Sequence, residues 1–499
     1  MGILKDWLRI KQPEQNRSLG LETESEYYLR WTSIRVIYYT GFVVYLAFGI
    51  VATGIWPYLK SLDPDVGKVF LTYVFSMPAI IQLVCSPLFG WWNDKLTSIR
   101  IPMVLFLLAF IIGHILYAVV RAIPDHRKHV LLFSRALVGL SLVSCTIYRA
   151  YMSAATTVAE RTKTLSYLAL AHTSGLLFGS VFQAIFSILG EDGYRFLGVF
   201  HVNMYTAAGW FCVLLGIVNL ILMHPSIFQD QNVALKEAIK NNEVATTEKV
   251  LKSTELIGLP ISMMLMAFAL LMFLYTAWQT LLSPIALDQF NWTNEESLFY
   301  LGILMTAGAL ISCVLFLLLD FLCKRFSESN VLVYGAMLAL FFSQILMIPV
   351  GNEPITATSD GLNATNGNSS CPSIQDWCRW IPPVGKIQFT IAYTLLCTAF
   401  SIGTTLSQSV FSKLLGPRPQ GTWMALLTCA GSAARILGPG SVTVYVLYGT
   451  YWTFGVCTVL AGTIFIWMWV YRDRLQSTKL VQPKVEEELK VLNPTRLTQ

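Results

Sequence analysis

The sequence is poor in charged residues, and this scarcity excludes an ordinary soluble protein. Only 13% of its 499 residues are Asp, Glu, Lys or Arg, whereas 55% are hydrophobic. A soluble domain of average composition has about a quarter of its residues charged. The Lys and Arg residues are scattered through short segments between apolar runs, so the sequence does not indicate a nucleic-acid partner. Most of the chain is therefore predicted to lie in a lipid bilayer.

Motifs of enzymes and of metal sites are also missing from the sequence. It contains no phosphate-binding loop, no nucleophile elbow and no Cys/His spacing typical of metal ligands. We therefore predict neither an enzyme nor a cofactor. The first 33 residues lack the short apolar core and the small-residue cleavage site of a signal peptide. We expect the first apolar run to start membrane insertion itself.

Long apolar runs fill most of the sequence. A helix needs about 20 mostly apolar residues to cross the hydrocarbon of a bilayer, and twelve runs reach that length. They cover roughly 34–57, 69–89, 101–120, 130–155, 164–189, 202–223, 257–283, 297–319, 330–350, 386–411, 422–446 and 451–471. We predict an all-α membrane protein with twelve transmembrane helices. Because the number is even, both termini are expected on the same side.

The connecting segments differ in their content of Lys and Arg. The segments on the side of the termini hold roughly three times as many of these residues as the other side, and such segments normally stay in the cytosol. The glycosylation sequons that begin at Asn291, Asn363 and Asn368 fall on the opposite side, and a further sequon begins at Asn16 in the N-terminal tail. Both signals predict cytosolic termini.

The loop of about 351–385 is the longest segment on the predicted luminal or outer side. It contains Cys371 and Cys378. We predict a disulfide between them because this side of the membrane is oxidising. The other eight cysteines lie singly in or next to apolar runs and are interpreted as small packing residues.

The longest polar connection separates the sixth run from the seventh. It covers about 224–256 and divides the helices into an N-terminal half at 34–223 and a C-terminal half at 257–471. The polar tails, 1–33 and 472–499, are assigned to the cytosol.

Three arginines lie at least five residues inside apolar runs, where a charged side chain is costly unless it is paired or hydrated. Arg435 lies about 13 residues into the eleventh run, near mid-bilayer, and Arg135 and Arg149 lie about 21 Å apart on nearly the same face of the fourth helix. No acidic residue stands near the middle of any run. Central arginines without central carboxylates favour an anionic solute. The alternatives are that Arg435 is a structural strut and that Arg149 extends to the cytosolic interface.

Two neutral polar residues are further candidates for solute binding. Gln279 in the seventh run could orient a solute by hydrogen bonding. His172 in the fifth run could relay protons near neutral pH, although a lone His in an apolar helix is more often structural. Small residues and one proline are interpreted as helix-packing and bending positions: Gly175, Gly179, Gly438 and Pro439.

Two short segments resemble signature motifs of the major facilitator superfamily. The segment Gly90-Trp91-Trp92-Asn93-Asp94-Lys95 is similar to the family's Gly-x-x-x-Asp-Arg motif, although its later Gly and Arg are missing. Arg135 and Gly139 match the Arg-x-x-x-Gly signature of the fourth helix. The resemblance implies that Asp94, with Lys95 and Arg135, stabilises a gating state. Asp94 would meet the N-terminus of the eleventh helix, where a carboxylate is favoured. An ordinary polar turn is the alternative.

Longer segments resemble one branch of that superfamily, the major facilitator domain-containing protein eight branch linked to neuronal ceroid lipofuscinosis. The most specific are GPRPQGTW at 416–423 and GSAARILGP at 431–439. The resemblance covers about 22–471 and implies a major facilitator fold of two six-helix halves. It also implies a lysosomal or late-endosomal membrane and transport of small anions, chloride being the solute named for the family. That family has Glu at the position of Gln279.

These observations lead to three hypotheses. The first is a carrier or channel-like carrier for small anions, chloride being the expected solute, in which Arg435, Arg149, Gln279 and His172 bind the anion. The second is a proton-coupled carrier of an organic solute. The third is a non-transporting membrane sensor or scaffold, against which the short tails argue because they leave little room for a partner module. The plasma membrane is the alternative location, and besides the solute the lipid bilayer is the expected partner.

Overall fold

The computed structural model describes residues 20–475 with short gaps. The residues outside the description are 1–19, 64, 65, 67, 97, 191, 192, 197–199, 241–257, 291–293, 352–375, 417–419 and 476–499. The chain forms two compact units, residues 1–253 with 417–436, and residues 254–416 with 437–499.

The described part is almost entirely helical. Its α-helices, numbered in chain order, are α1 Glu24–Leu62, α2 Lys68–Lys95, α3 Arg100–Val119, α4 Arg127–Leu142, α5 Ser144–Ala154, α6 Val158–Phe186, α7 Thr206–Leu222, α8 Val233–Lys240, α9 Gly258–Phe290, α10 Asn294–Arg325, α11 Glu328–Asn330, α12 Leu338–Ile345, α13 Lys386–Leu415, α14 Gly421–Leu437 and α15 Ser441–Val470. A π-helix at Val331–Met337 joins α11 to α12. The described strands, β1 (Tyr194–Phe196) and β2 (Phe200–Val202), form one antiparallel hairpin.

The first helix begins ten residues before the apolar run that predicted it. The Thr23 side chain accepts a hydrogen bond from the Glu26 amide, and the Glu26 carboxylate accepts one from the Thr23 amide at 2.8 Å. This reciprocal capping satisfies two backbone donors that a helix start leaves unpaired. The polar stretch before the apolar run is therefore helical from Glu24 onwards.

The described helices account for the predicted membrane passes. Ten helical segments are long and apolar enough to cross a membrane, and α7 is a shorter apolar helix. The last of the ten, Gly421–Val470, has 50 residues, which is enough for two passes of about 20 residues each. Gly449 divides it, because its φ of 75° and ψ of −170° are not helical. This arrangement is consistent with twelve passes.

Two glycines allow α6 to pack closely against α1 in the first unit. A Cβ atom added to Gly175 would lie 2.5 Å from the carbonyl oxygen of Phe42, and one added to Gly179 would lie 2.5 Å from that of Leu46. Any side chain at either position would have to separate the two backbones. Small residues bring membrane helices into this kind of contact.

The connection that follows α7 packs on the first unit. Phe228 is fully buried, and the backbone of Gln229 both donates to and accepts from the hydroxyl of Ser33, at 2.9 and 3.1 Å. The Asp230 carboxylate accepts a hydrogen bond from the Ser98 hydroxyl. Burial raises the pKa of Asp230 despite that hydrogen bond, since desolvation disfavours the charged form.

Aromatic side chains form the core of the second unit. Trp278 on α9 is 1% exposed and donates from its indole nitrogen to the Gln344 side-chain oxygen at 3.2 Å. Its ring lies 5.6–6.1 Å from those of Phe389, Tyr393 and Phe454. A buried Trp stabilises a core through apolar contacts around its ring and through one hydrogen-bond partner for its N–H.

Candidate functional site

A local break in the fourth membrane pass creates a polar anchor inside the first unit. Helix α4 ends at Leu142 and α5 begins at Ser144, and around the break the backbone uses tighter bonds, from Val143 to Leu140 and from Thr146 to Val143. In a continuous α-helix, the Thr146 amide would pair with the Leu142 carbonyl. At the break that carbonyl instead accepts from the Gln82 side-chain amide, at 2.8 Å.

This anchor fixes the orientation of the Gln82 amide. Because its nitrogen donates to Leu142, its oxygen faces α14, where it accepts from Ser432 Oγ at 3.1 Å and from Arg435 Nη2. Arg435 Nη2 also donates to Ser432 Oγ at 3.1 Å. Gln82 is only 3% exposed. The guanidinium of Arg435 is therefore held by two neutral oxygen atoms.

A second arginine lies on the same side of α14. Arg149 on α5 is 8% exposed, and its Nη1 lies 3.5 Å from Thr428 Oγ1, which also accepts from Thr146 Oγ1 at 3.1 Å. Thr428, Ser432 and Arg435 are spaced four and then three residues apart, so their side chains share one face of the helix. We call Gln82, Arg149, Thr428, Ser432 and Arg435 the arginine cluster.

His172 on α6 lies in an aromatic setting next to this cluster. Its ring stacks on that of Tyr45, with centroids 4.2 Å apart and planes 15° apart, and its Nε2 lies 2.9 Å from the Tyr148 hydroxyl. Tyr148 is the neighbour of Arg149 in the chain. The histidine thus connects α1, α5 and α6 beside two positive charges.

The electrostatics of the arginine cluster are positive. Every hydrogen-bond partner of its two guanidinium groups among the described residues is neutral, and both Nε atoms are buried without a partner there. The membrane segments of this unit carry acidic residues only at their ends, at Glu24, Glu26, Asp94 and Glu160. Two buried positive charges of this kind favour an anion close by.

Asp94, at the end of α2, contacts the N-terminal end of α14. Its carboxylate accepts hydrogen bonds from the Gly421 amide at 2.6 Å, from the Thr422 amide at 2.7 Å and from the Thr422 hydroxyl at 2.6 Å. Gly90 permits this approach, because a Cβ there would lie 2.7 Å from the Gly421 carbonyl oxygen. Lys95 lies 3.8 Å above the Trp91 ring. A carboxylate at a helix N-terminus pairs with otherwise unsatisfied N–H groups and with the helix dipole.

Arg135 and Gly139 occupy α4, apart from the arginine cluster. Arg135 is 3% exposed, and its buried Nε has no hydrogen-bond partner in the described part of the chain. A Cβ on Gly139 would lie 2.7 Å from the Cα of Pro78, so this glycine lets α2 and α4 touch. Arg135 is therefore a third buried positive charge in this unit.

The remaining predicted residues lie elsewhere. Gln279 is on α9 of the second unit, where its side chain is exposed. In the same unit, a Cβ on Gly438 would lie 2.7 Å from that of Thr276, and Pro439 follows in a short 3-10 turn. The sequons at Asn291, Asn363 and Asn368, and Cys371, lie outside the described residues.

Four residues of the site were not predicted from the sequence: Gln82, Thr428, Ser432 and Tyr148. A signal for Gln82 was present, since it is a long polar side chain within an apolar run, and such a side chain needs a hydrogen-bond partner in lipid. That partner becomes available because α4 is interrupted at Val143. The sequence does not predict this interruption, since the apolar run contains no Pro.

Taken together, the apolar helices and the charged cluster within them define a polytopic membrane protein with a polar site inside its helices. The family model described as Major Facilitator Superfamily matches residues 37–359. The chain belongs to the major facilitator superfamily and is a membrane transporter, not an enzyme.

Individual relatives agree with this assignment. The chain is 34% identical over 480 residues to "Major facilitator superfamily domain-containing protein 8" of Xenopus laevis, covering 91% of this chain and 93% of that protein. Two solved structures share the fold at low identity. The human organic anion transporter MFSD10 (TETRAN) has a TM-score of 0.59 at 16% identity, covering 88% of this chain and 99% of that one. The proton:xylose symporter XylE has a TM-score of 0.64 at 10% identity, covering 89% and 96%.

Proposed function

We propose that this transporter carries small anions, with chloride as the expected solute. The observation that carries the proposal is the arginine cluster, in which Arg149 and Arg435 are held by neutral side chains alone among the described residues. A buried arginine is costly in a membrane protein unless a counter-charge or water accompanies it. An anion from solution supplies that counter-charge.

A second candidate is a proton-coupled carrier of an organic anion. The stacked Tyr45 and His172 rings and the Tyr148 hydroxyl support it, because they form a contiguous set of groups with exchangeable protons beside the arginines. The solved structure named as an organic anion transporter shares the fold of this chain. In this candidate the arginine cluster would bind the anionic group of a larger solute.

Transport assays on the purified protein in liposomes separate these candidates. Chloride, bromide and organic anions of increasing size are offered in turn, while internal anion and internal pH are recorded. A small-anion carrier moves the halides without a solute-dependent pH change. If only organic anions enter and their entry acidifies the interior, the second candidate is correct and the first is wrong.

We further propose that Asp94, with Lys95, Arg135 and Gly139, stabilises one state of an alternating-access cycle. The three hydrogen bonds from Asp94 to the start of α14 support this role. They would have to break when the transporter changes state, so their strength sets how long that state lasts.

Replacing Asp94 by Asn should weaken this contact, because Asn retains the shape but loses the charge. A helix-capping interaction contributes about 0.5–2 kcal/mol, and about 1.4 kcal/mol is tenfold in an equilibrium constant. We expect a changed turnover rate and a lower unfolding temperature. Asp320→Asn, which makes the same change at a carboxylate that pairs with the exposed Lys324, is the control. Equal behaviour of D94N and the wild type in both measurements would refute the role.

The proposed setting is an endolysosomal membrane with both termini in the cytosol, glycans at Asn363, Asn368 and Asn291, and a disulfide between Cys371 and Cys378. Cys378 is 1% exposed, and it is not among the eight cysteines that are free thiols in the described part of the chain. These facts support the pairing. We expect wild-type protein, but not Cys378→Ser, to change mobility on reduction. A Cys378→Ser variant that still changed would exclude this disulfide.

A further inference from the structure

Gln82 is one of the two neutral residues that accept a hydrogen bond from Arg435 in the described part of the chain. Its oxygen accepts from Arg435 and Ser432, and its nitrogen donates to the Leu142 carbonyl. Glutamine suits this position because the surroundings require both a hydrogen-bond donor and an acceptor. The carbonyl freed at the break between α4 and α5 requires a donor, and the guanidinium of Arg435 requires an acceptor.

A carboxylate would satisfy only the second of these needs. It would pair with Arg435 more strongly than an amide does, but it could not donate to Leu142, whose carbonyl oxygen lies 2.8 Å from the Gln82 nitrogen. The Leu142 carbonyl, which the backbone break frees, thus favours an amide over a carboxylate at position 82. The break therefore keeps this partner of Arg435 uncharged.

We infer that Gln82 makes the site selective for anions, by holding the Arg435 guanidinium in place without neutralising it. This inference rests on the proposed function and names the residue that sets its charge preference. Gln82 is a positioning residue that acts through Arg435. Its amide oxygen orders the guanidinium, and its lack of charge leaves the positive field of Arg149 and Arg435 available to a solute anion.

At position 82, a change in charge and a loss of hydrogen bonds should affect anion transport differently. Gln82→Glu introduces a carboxylate of the same size beside Arg435 and makes the pair neutral. Gln82→Met has nearly the same length, removes all three hydrogen bonds of Gln82 and leaves the charge of Arg435 unchanged. The first variant should therefore lose affinity for anions, whereas the second should lose order around Arg435 but keep its preference for anions.

The test is the chloride dependence of flux in liposomes that contain purified wild-type, Q82E or Q82M protein. We expect the chloride concentration for half-maximal flux to rise at least tenfold in Q82E, and the flux at low chloride to fall accordingly. In Q82M we expect this concentration to stay within about threefold of wild type while the maximal rate falls. The unfolding temperature of each variant is measured alongside, and Q82E should unfold no earlier than Q82M because its new carboxylate is paired.

Three results would count against the inference. Wild-type chloride affinity in Q82E overturns it, and so does an equal loss of affinity in Q82E and Q82M, since Gln82 would then be only a polar strut. In both cases the proposed anion transport stands, because the wild-type protein still moves chloride. Absence of chloride flux in the wild type overturns the proposed function and this inference together.

Discussion

Replacing Arg435 by Gln should lower chloride flux at least tenfold at low chloride concentration. Gln retains polar atoms for Gln82 and Ser432 but removes the positive charge in the last turn of α14. Unit charges about 4 Å apart at an effective dielectric constant of about 20 attract by about 4 kcal/mol, and about 1.4 kcal/mol already corresponds to tenfold in affinity. The loss should appear as a higher chloride concentration for half-maximal flux.

Two variants separate the effect of charge from other causes. Arg435→Lys keeps the positive charge and should retain part of the flux, although a single ammonium cannot reproduce the guanidinium contacts. Arg325→Gln changes an exposed arginine at the end of α10 and should leave flux unchanged. If R435Q had wild-type chloride affinity, Arg435 would be a structural strut and the site would have to be sought elsewhere.

Replacing Arg30 by Ala should destabilise the first unit by about 3–5 kcal/mol, the range for breaking a buried ion pair. Arg30 has no exposed surface and binds Glu22 through two bonds, from Nη2 at 2.6 Å and from Nε at 2.9 Å. Its Nη1 contacts Glu160 at 3.0 Å and the Ala155 carbonyl at 2.9 Å. The variant would leave two carboxylates without this cation, so we expect a lower unfolding temperature and less protein in the membrane.

The matched control is an ion pair that solvent reaches. Lys128 and Asp63 are 2.8 Å apart, with 37% and 25% of their side chains exposed. Exposed pairs contribute about 0–1 kcal/mol, so Lys128→Ala should change the unfolding temperature little. Equal effects of R30A and K128A would contradict the idea that burial of the Arg30 pair holds α1 to the turn before α6.

The course of the helices was accessible from the sequence because each pass needs an uninterrupted apolar run. The ends were not. Glu24 starts α1 through a capping interaction that an apolar run cannot reveal, and the break between α4 and α5 lies inside the single run predicted at 130–155. These details depend on backbone geometry and local hydrogen bonds, which hydropathy does not register.

The candidate site was accessible only through its charges. Arg149 and Arg435 stood out because arginine is rare and costly in an apolar run. Their partners did not stand out. Thr and Ser are common in helices, and the role of Gln82 depends on the Leu142 carbonyl, which is free only because the helix breaks at Val143. Three-dimensional structure was needed to identify which neutral groups hold the positive charges, and that distinction carries the argument for anions.

The most direct test of the central claim is chloride entry into liposomes that contain the purified wild-type protein, compared with liposomes that contain R435Q. The account predicts saturable chloride entry that is independent of which cation is present and is reduced at least tenfold in the variant at low chloride, equivalent to about 1.4 kcal/mol. Entry equal to that of protein-free liposomes, or equal entry in the two proteins, would contradict it.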